Sequence, residues 1–171
     1  MNCVGNGNNT EPTFEICNNC SPCKSINKGN FLDVIEVDAA SRTGVDGIRE
    51  IIDAVMYSPN NARFKVYIID EVHMLSNAAF NALLKTLEEP PENVKFIFAT
   101  TEIKKIPATI ISRCQRFDLK RVDIDTLRTH LSKICESENI KFENDSLFQI
   151  CKASEGSVRD ALSLLDQAAS L

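Results

Sequence analysis

Four short apolar runs punctuate the first two thirds of the chain: Leu32-Asp33-Val34-Ile35-Glu36-Val37, Val66-Tyr67-Ile68-Ile69-Asp70, Lys95-Phe96-Ile97-Phe98-Ala99 and, more faintly, Arg116-Phe117-Asp118-Leu119. Between them, apolar positions recur at three and four residues, the period of a helix with one buried face. Strands alternating with helices predict a parallel sheet covered on both sides. One intervening helix has both of its ends marked. Ser76 can cap it, Ala79, Phe80, Leu83, Leu84 and Leu87 form its apolar stripe, and Pro90-Pro91 stops it. Another is expected over roughly 47–56.

From Asp123 the strands cease and three amphipathic segments follow, at about 123–138, 144–154 and 156–169. Leu127, Leu131, Ile134 and Cys135 line the first, and Val158, Ala161, Leu162, Leu165 and Ala169 the last. They predict a small helical lid joined near Lys120–Asp123. Residues 1–30 are different: rich in Asn, Gly, Pro and Cys and without either period, they predict an irregular loop held by something other than a core. The expected organisation is a cysteine-bearing module at 1–30, an α/β core at 31–120 and a helical lid at 121–171. A chain of 171 residues, 43% hydrophobic, can supply one medium core or two small ones.

The formal net charge of −5 rules out a generally basic surface, so any DNA contact must come from a local group of Arg and Lys. No apolar run approaches the ~20 residues of a bilayer span, and the opening Met1-Asn2-Cys3-Val4-Gly5 lacks the basic and apolar regions of a secretion signal. A soluble cytoplasmic protein with no membrane partner is expected.

Four of the seven cysteines, Cys3, Cys17, Cys20 and Cys23, crowd the first 23 residues. Two overlapping C-x-x-C steps and a remote fourth thiolate can close a tetrahedral Cys₄ site for structural zinc, with no position left open for catalysis. Cys135 and Cys151 lie on apolar helix faces and are most simply core residues.

Val66-Tyr67-Ile68-Ile69-Asp70-Glu71 is a buried strand that ends in two carboxylates. Open parallel sheets bind ligands at that edge. In a nucleotide hydrolase the first carboxylate holds the Mg²⁺ shell and the second orients and deprotonates the attacking water, which suits Asp70 followed by Glu71. On these six residues alone, a strand ending in solvated acids is an equal reading.

The surrounding residues decide between the two. Ile69-Asp70-Glu71-Val72-His73-Met74-Leu75 and Asn81-Ala82-Leu83-Leu84-Lys85-Thr86-Leu87-Glu88-Glu89-Pro90-Pro91 closely resemble the AAA+ clamp-loader motor subunits of bacterial DNA polymerase III, the gamma/tau type. The resemblance runs along essentially the whole chain, through Asp38-Ala39-Ala40-Ser41-Arg42-Thr43, Ala99-Thr100-Thr101, Ser112-Arg113-Cys114 and Gly156-Ser157-Val158-Arg159-Asp160-Ala161-Leu162-Ser163. It implies an AAA+ parallel sheet with an inserted zinc knuckle and a helical lid. By the same resemblance Thr101, with Thr100 beside it, looks like sensor 1, and Arg159 like sensor 2 on the lid. Arg113 looks like an arginine finger that acts in trans on a neighbouring subunit's nucleotide. Ser41, Arg42, Thr43 and Arg49 look like template-phosphate contacts, although many family members carry lysine where Gly44 stands here. His73 and His130 are isolated and receive no role.

No G-x-x-x-x-G-K-[ST] occurs in the sequence. In the family that phosphate-binding loop precedes the segment corresponding to Met1-Asn2-Cys3, and a collar domain follows the one corresponding to Leu171. Two expectations result. The chain on its own lacks the lysine and hydroxyl for ATP and Mg²⁺, and its sheet is marginal unless another polypeptide supplies the missing strand. The implied role is ATP-driven loading of a sliding clamp onto primed DNA, beside delta, delta-prime and further gamma/tau copies. The alternative is a non-hydrolysing subunit like delta-prime, which donates its finger to a neighbour.

Overall fold

The computed structural model describes residues 1–5, 11–41 and 45–170, with the backbone alone at 45 and 46. Two compact units are present, Met1–Arg116 and Phe117–Leu171. The first contains helix α1 (Ser21–Asn27), strand β1 (Val34–Asp38), α2 (Val45–Val55), β2 (Lys65–Asp70), α3 (Asn77–Glu88), β3 (Val94–Phe98) and the single turn α4 (Ala108–Ile111). The strands form a parallel sheet in the order β1-β2-β3. Val34 to Asp38 pair with Val66 to Asp70, and Lys65 to Ile69 pair with Val94 to Phe98.

Because β2 is central, its side chains are covered on both faces: Val66, Tyr67 and Ile69 are buried, and this explains a near-continuous apolar run rather than an alternating one. Tyr67 stacks on Phe96 at 5.4 Å between ring centroids, and Phe96 on Phe98 at 5.9 Å. Ile48, Ile51 and Val55 of α2 join Ala79, Phe80 and Leu83 of α3 in the same core. The Ser76 hydroxyl caps α3 by accepting from the Ala79 N–H at 3.2 Å, and the helix stops at Glu88, before Pro90.

The second unit is helical, with α5 (Ile124–Ser137), α6 (Asn144–Ala153) and α7 (Val158–Ala169). Its own core is Leu127, Leu131, Cys135, Leu147, Cys151, Ala161 and Leu165. Asp123 caps α5 through the Thr126 N–H and hydroxyl, contacts that hold its carboxyl below the usual range, and Ser157 caps α7 through the Asp160 N–H. Gly156 has φ +79°, and a Cβ there would stand 2.5 Å from the Val122 carbonyl oxygen, so only glycine fits.

Two expectations need correction. Residues 116–119 form no strand: a strand exists only through a hydrogen-bonded neighbour, none of the three described strands pairs with them, and Phe117 and Leu119 are exposed. Nor are residues 1–30 wholly irregular, because α1 lies within them. Pro22 in its first turn presets a helical φ where the N–H needs no partner, a local signal too short to show periodicity.

One buried carboxylate ties the start of β1 to the loop before β2. Asp33, 1% exposed, accepts from the backbone N–H groups of Asn60, Asn61 and Ala62 at 2.8, 2.9 and 3.0 Å. Burial alone would raise its pKa, yet these donors together hold the carboxyl below its usual range. A depressed folded pKa contributes stability above the unfolded value, about 3.9 for Asp, and that contribution fades as pH falls through the folded value. Asp33→Asn should therefore destabilise the chain by roughly 2–4 kcal/mol at neutral pH, with the gap to the native protein narrowing below about pH 4. Urea unfolding at a series of pH values measures this.

Candidate functional site: the carboxylate edge of the sheet and the cysteine cluster

Asp70 ends β2 on the sheet's C-terminal edge, with its side chain exposed. The chain then turns sharply: Glu71 has φ +47° and ψ +42°, the left-handed region, and its N–H donates to Asp70 Oδ1 at 2.9 Å. The turn is fixed from the next strand, since Ala99 N–H donates to the Ile69 carbonyl and Val72 N–H to the Ala99 carbonyl, both at 3.0 Å. These bonds carry β3's continuation, Thr100 and Thr101, alongside Glu71. The Thr101 hydroxyl donates to Glu71 Oε2 at 3.2 Å. Asp70, Glu71, Thr100 and Thr101, separated by 30 positions in sequence, thus meet at one edge.

His73, on a single 3₁₀ turn over Val72–Met74, belongs to the same group. Its Nδ1 lies 3.2 Å from Glu71 Oε2 and 2.9 Å from Thr100 Oγ1, and its Nε2 lies 3.5 Å from Glu102 Oε1. Lys105, bonded to Glu102 at 2.7 Å, holds that carboxyl below its usual range against the opposing effect of burial, with His73 adding to the pull. Neither His73 nor Glu102 was assigned from the sequence. The available signal was position alone: His73 follows Glu71 by two residues and Glu102 adjoins Thr101.

The four amino-terminal cysteines converge, their sulfurs all within 4.8 Å of one another. Cys17 Sγ lies 4.0 Å from Cys23 Sγ. Backbone donors point inward: Cys17 N–H reaches Cys3 Sγ at 3.4 Å, and Cys20 N–H reaches Cys17 Sγ at 3.3 Å. The Cys23 N–H leads the contacts that bring the Cys20 thiol down to about 6, while the adjacent Cys20 sulfur and burial push Cys23 up to about 12. The cluster favours negative charge but resists placing it on every sulfur at once. Such a set could hold a metal ion.

This module is fastened to the sheet by two side chains. Buried Asn2 accepts from Phe64 N–H at 3.0 Å and donates to the Phe64 carbonyl at 2.9 Å, extending the ladder just before β2. Arg63 donates to the Cys3 carbonyl at 3.2 Å and to that of Glu11 at 2.6 Å.

The other expected site residues are carried by other elements or lie outside the described residues. Arg113 follows α4, where its guanidinium bonds Glu88 Oε1 at 2.6 Å and the Thr109 carbonyl at 2.7 Å. Arg159 is exposed in the first turn of α7, in the second unit. Ser41 is exposed, its hydroxyl donating to the Asp38 carbonyl at 3.0 Å, and Arg49 is exposed on α2. Arg42 and Thr43 lie outside the described residues.

A parallel sheet ending in adjacent carboxylates with a threonine hydroxyl against the second, followed by a separate helical unit, is the architecture of an AAA+ module. Solved structures agree. A RuvB Holliday junction branch migration motor from Thermotoga maritima aligns over 77% of this chain and 43% of its own, with a TM-score of 0.63 at 18% identity, a likeness of fold. A DNA polymerase III gamma subunit-related protein from the same organism aligns over 73% and 43%, with a TM-score of 0.53 at 26% identity.

Sequence comparison is more specific. The profile described as DNA polymerase III, delta subunit, matches residues 2–123, and the one described as DNA polymerase III clamp loader subunit, ATPase lid domain, matches 126–171. The tau/gamma subunit of Haemophilus influenzae is 55% identical over 98% of this chain, the tau subunit of Bacillus subtilis 58% over 93%, and the gamma subunit of Buchnera aphidicola subsp. Acyrthosiphon pisum 52% over 100%. The chain belongs to the clamp-loader subunit family of DNA polymerase III. It spans 24% and 28% of the first two relatives and 46% of the third.

Removing the Asn2 side chain leaves a backbone donor and acceptor of Phe64 unpaired. Asn2→Ala should cost roughly 1–3 kcal/mol and speed hydrogen exchange at Phe64 before it does so at Ile69. Equal protection at Phe64 in both proteins would show that Asn2 is not the tie.

Proposed function

We propose that this chain forms the catalytic edge, lid and zinc module of a clamp-loader ATPase subunit, whose nucleotide state drives a sliding clamp onto primed DNA. The observation that carries this reading is the Thr101 hydroxyl, 3.2 Å from Glu71 Oε2 at the C-terminal end of central strand β2. That contact joins the carboxylate that activates water to a hydroxyl suited to sensing the γ-phosphate. Asp70, one residue earlier, is the ligand for the Mg²⁺ shell, and Thr100 supports Thr101. Arg159 answers to the nucleotide from the lid. Arg113 reaches a neighbour's nucleotide, and delta, delta-prime and further gamma/tau copies are the neighbours the family provides. Ser41, Arg42, Thr43 and Arg49 offer hydroxyls and guanidinium groups to the DNA backbone. The setting is the cytoplasm.

No G-x-x-x-x-G-K-[ST] occurs in the sequence, and on this reading ATP binding requires a loop of that kind. A fluorescent ATP analogue with Mg²⁺ is expected to show no saturable binding to the chain alone, and saturable binding would overturn that requirement. In a clamp loader assembled with the full-length subunit, Glu71→Gln should lower hydrolysis by about 10²–10⁴-fold and leave nucleotide binding intact.

A second reading is favoured by the delta-subunit profile over residues 2–123. In it the chain hydrolyses nothing and only donates Arg113. Unchanged hydrolysis by Glu71→Gln beside a loss by Arg113→Ala would select that reading.

For the metal, the donor set supports zinc. Zn–S bonds of about 2.3 Å in a tetrahedron place sulfurs about 3.8 Å apart, close to the spacing already present among Cys3, Cys17, Cys20 and Cys23. Zinc there orders residues 1–30 and leaves no open coordination position. About one zinc per chain is expected by elemental analysis, with Cys20→Ser or a chelator releasing the metal and making residues 1–30 susceptible to protease. A metal-free protein with four freely titrating thiols and equal protease resistance would rule this out.

A further inference from the structure

We propose that His73 is a positioning residue that sets the orientation of the Glu71 carboxylate, through an Nδ1 proton shared between Glu71 Oε2 and Thr100 Oγ1. The inference rests on the hydrolytic reading of Glu71 given above. A glutamate side chain has three torsions, and Glu71 is 39% exposed, so without anchors its carboxylate would sweep through solvent. Two groups meet it, and both meet the same oxygen: Thr101 Oγ1 at 3.2 Å and His73 Nδ1 at 3.2 Å from Oε2. Among the described residues none hydrogen bonds Oε1. That oxygen is therefore the one left to take a proton from water, while Oε2 serves as the fixed point.

The distances favour a proton on Nδ1, because an imidazole lone pair facing a carboxylate oxygen at 3.2 Å would repel it, and Nε2, which faces Glu102 Oε1 at 3.5 Å, makes the weaker claim on a proton. Thr100 Oγ1 lies nearer, at 2.9 Å, and already accepts from the Glu102 N–H at 3.0 Å, so the hydroxyl that shares the Nδ1 proton is itself held. On the far side of the ring, Glu102 Oε1 lies 3.5 Å from Nε2. The ring has little freedom to leave: its side chain is 7% exposed, and its turn is closed by Met74 N–H to the Glu71 carbonyl at 2.8 Å. Thr101, by contrast, is exposed at a strand end. His73 is thus the rigid anchor of the pair, and it links Glu71 to the Thr100–Glu102 segment after β3.

The chain has two histidines, His73 and His130, so imidazole nitrogen spectra of the ¹⁵N-histidine-labelled chain resolve readily. The His73 resonances should carry the Nδ1–H signature and shift in Glu71→Ala. The Nε2–H form at His73 would overturn the proposal, whatever the activity of any complex. In the clamp loader assembled with the full-length subunit, His73→Ala should lower kcat about 10- to 100-fold with an unchanged KM for ATP, as expected when a reacting group is misplaced but binding is not. His73→Asn, whose amide N–H falls near the Nδ1 position, should restore much of that rate. His73→Gln, whose amide falls near Nε2, should not. Full kcat in His73→Ala where Glu71→Gln is impaired would sink the positioning role and leave the proposed function standing. A silent Glu71→Gln would instead remove the hydrolytic reading and the positioning role that rests on it.

Discussion

Everything at the candidate site depends on β2 being hydrogen bonded on both sides. A strand paired with β1 and β3 along its length cannot slide, since a shift of one residue would turn buried Tyr67 and Ile69 to the opposite faces. Its end is therefore placed as firmly as its middle. The ladder even continues past the last strand residue, because the Ala99 and Val72 amides still pair across β2 and β3 after the side chains have become polar. Glu71 sits inside that continuation in a left-handed conformation that costs a non-glycine residue about 1 kcal/mol or more. The flanking bonds supply what is needed to hold it there.

The cysteine module shows how a segment without a core can share this rigidity. It contributes Cys3 and Cys23 to the buried residues, and it is also tied to the sheet: Asn2 joins it to Phe64, Arg63 grips its carbonyls, and Asp33 gathers the loop 60–62. Three polar side chains at the N-terminal end of β1 and β2 do for this region what apolar contact does for α2 and α3. The two ends of the sheet are consequently specialised. One end secures the module through backbone groups, and the other gathers carboxylates and hydroxyls that bond one another.

Legibility in the sequence followed the range of the interactions. The strands at 34–38, 65–70 and 94–98 and the helices from Asn77, Ile124, Asn144 and Val158 were all readable from period and capping, because burial of one face and a side-chain cap are written within a dozen residues. The Asp70-Glu71 pair and the cysteine spacing were readable for the same reason. What escaped depends on partners far away. Residues 116–119 have strand-like composition, yet β-structure requires a neighbour that composition cannot name. Helix α1 has only seven residues and takes its start from Pro22. His73 looked isolated because Thr100 and Glu102 lie 27 and 29 positions further along the chain. Asp33 looked like one more acid in a strand until the loop at 60–62 closed over it.

The arrangement around Arg113 shows what a sequence motif leaves unsaid about the partners of its side chain. Its side chain is one third exposed, and its guanidinium is held by Glu88 at the end of α3 and by the Thr109 carbonyl of α4, so within this chain it already has partners. A partly exposed ion pair of this kind contributes modestly to stability, about 1 kcal/mol, and can be exchanged for a stronger anion. In the proposed role in trans, a neighbour's triphosphate would be such an anion, offering a planar guanidinium more charge than one carboxylate does. On that role, Glu88 and the Thr109 carbonyl are partners within this chain that Arg113 would exchange for phosphate oxygens at an interface.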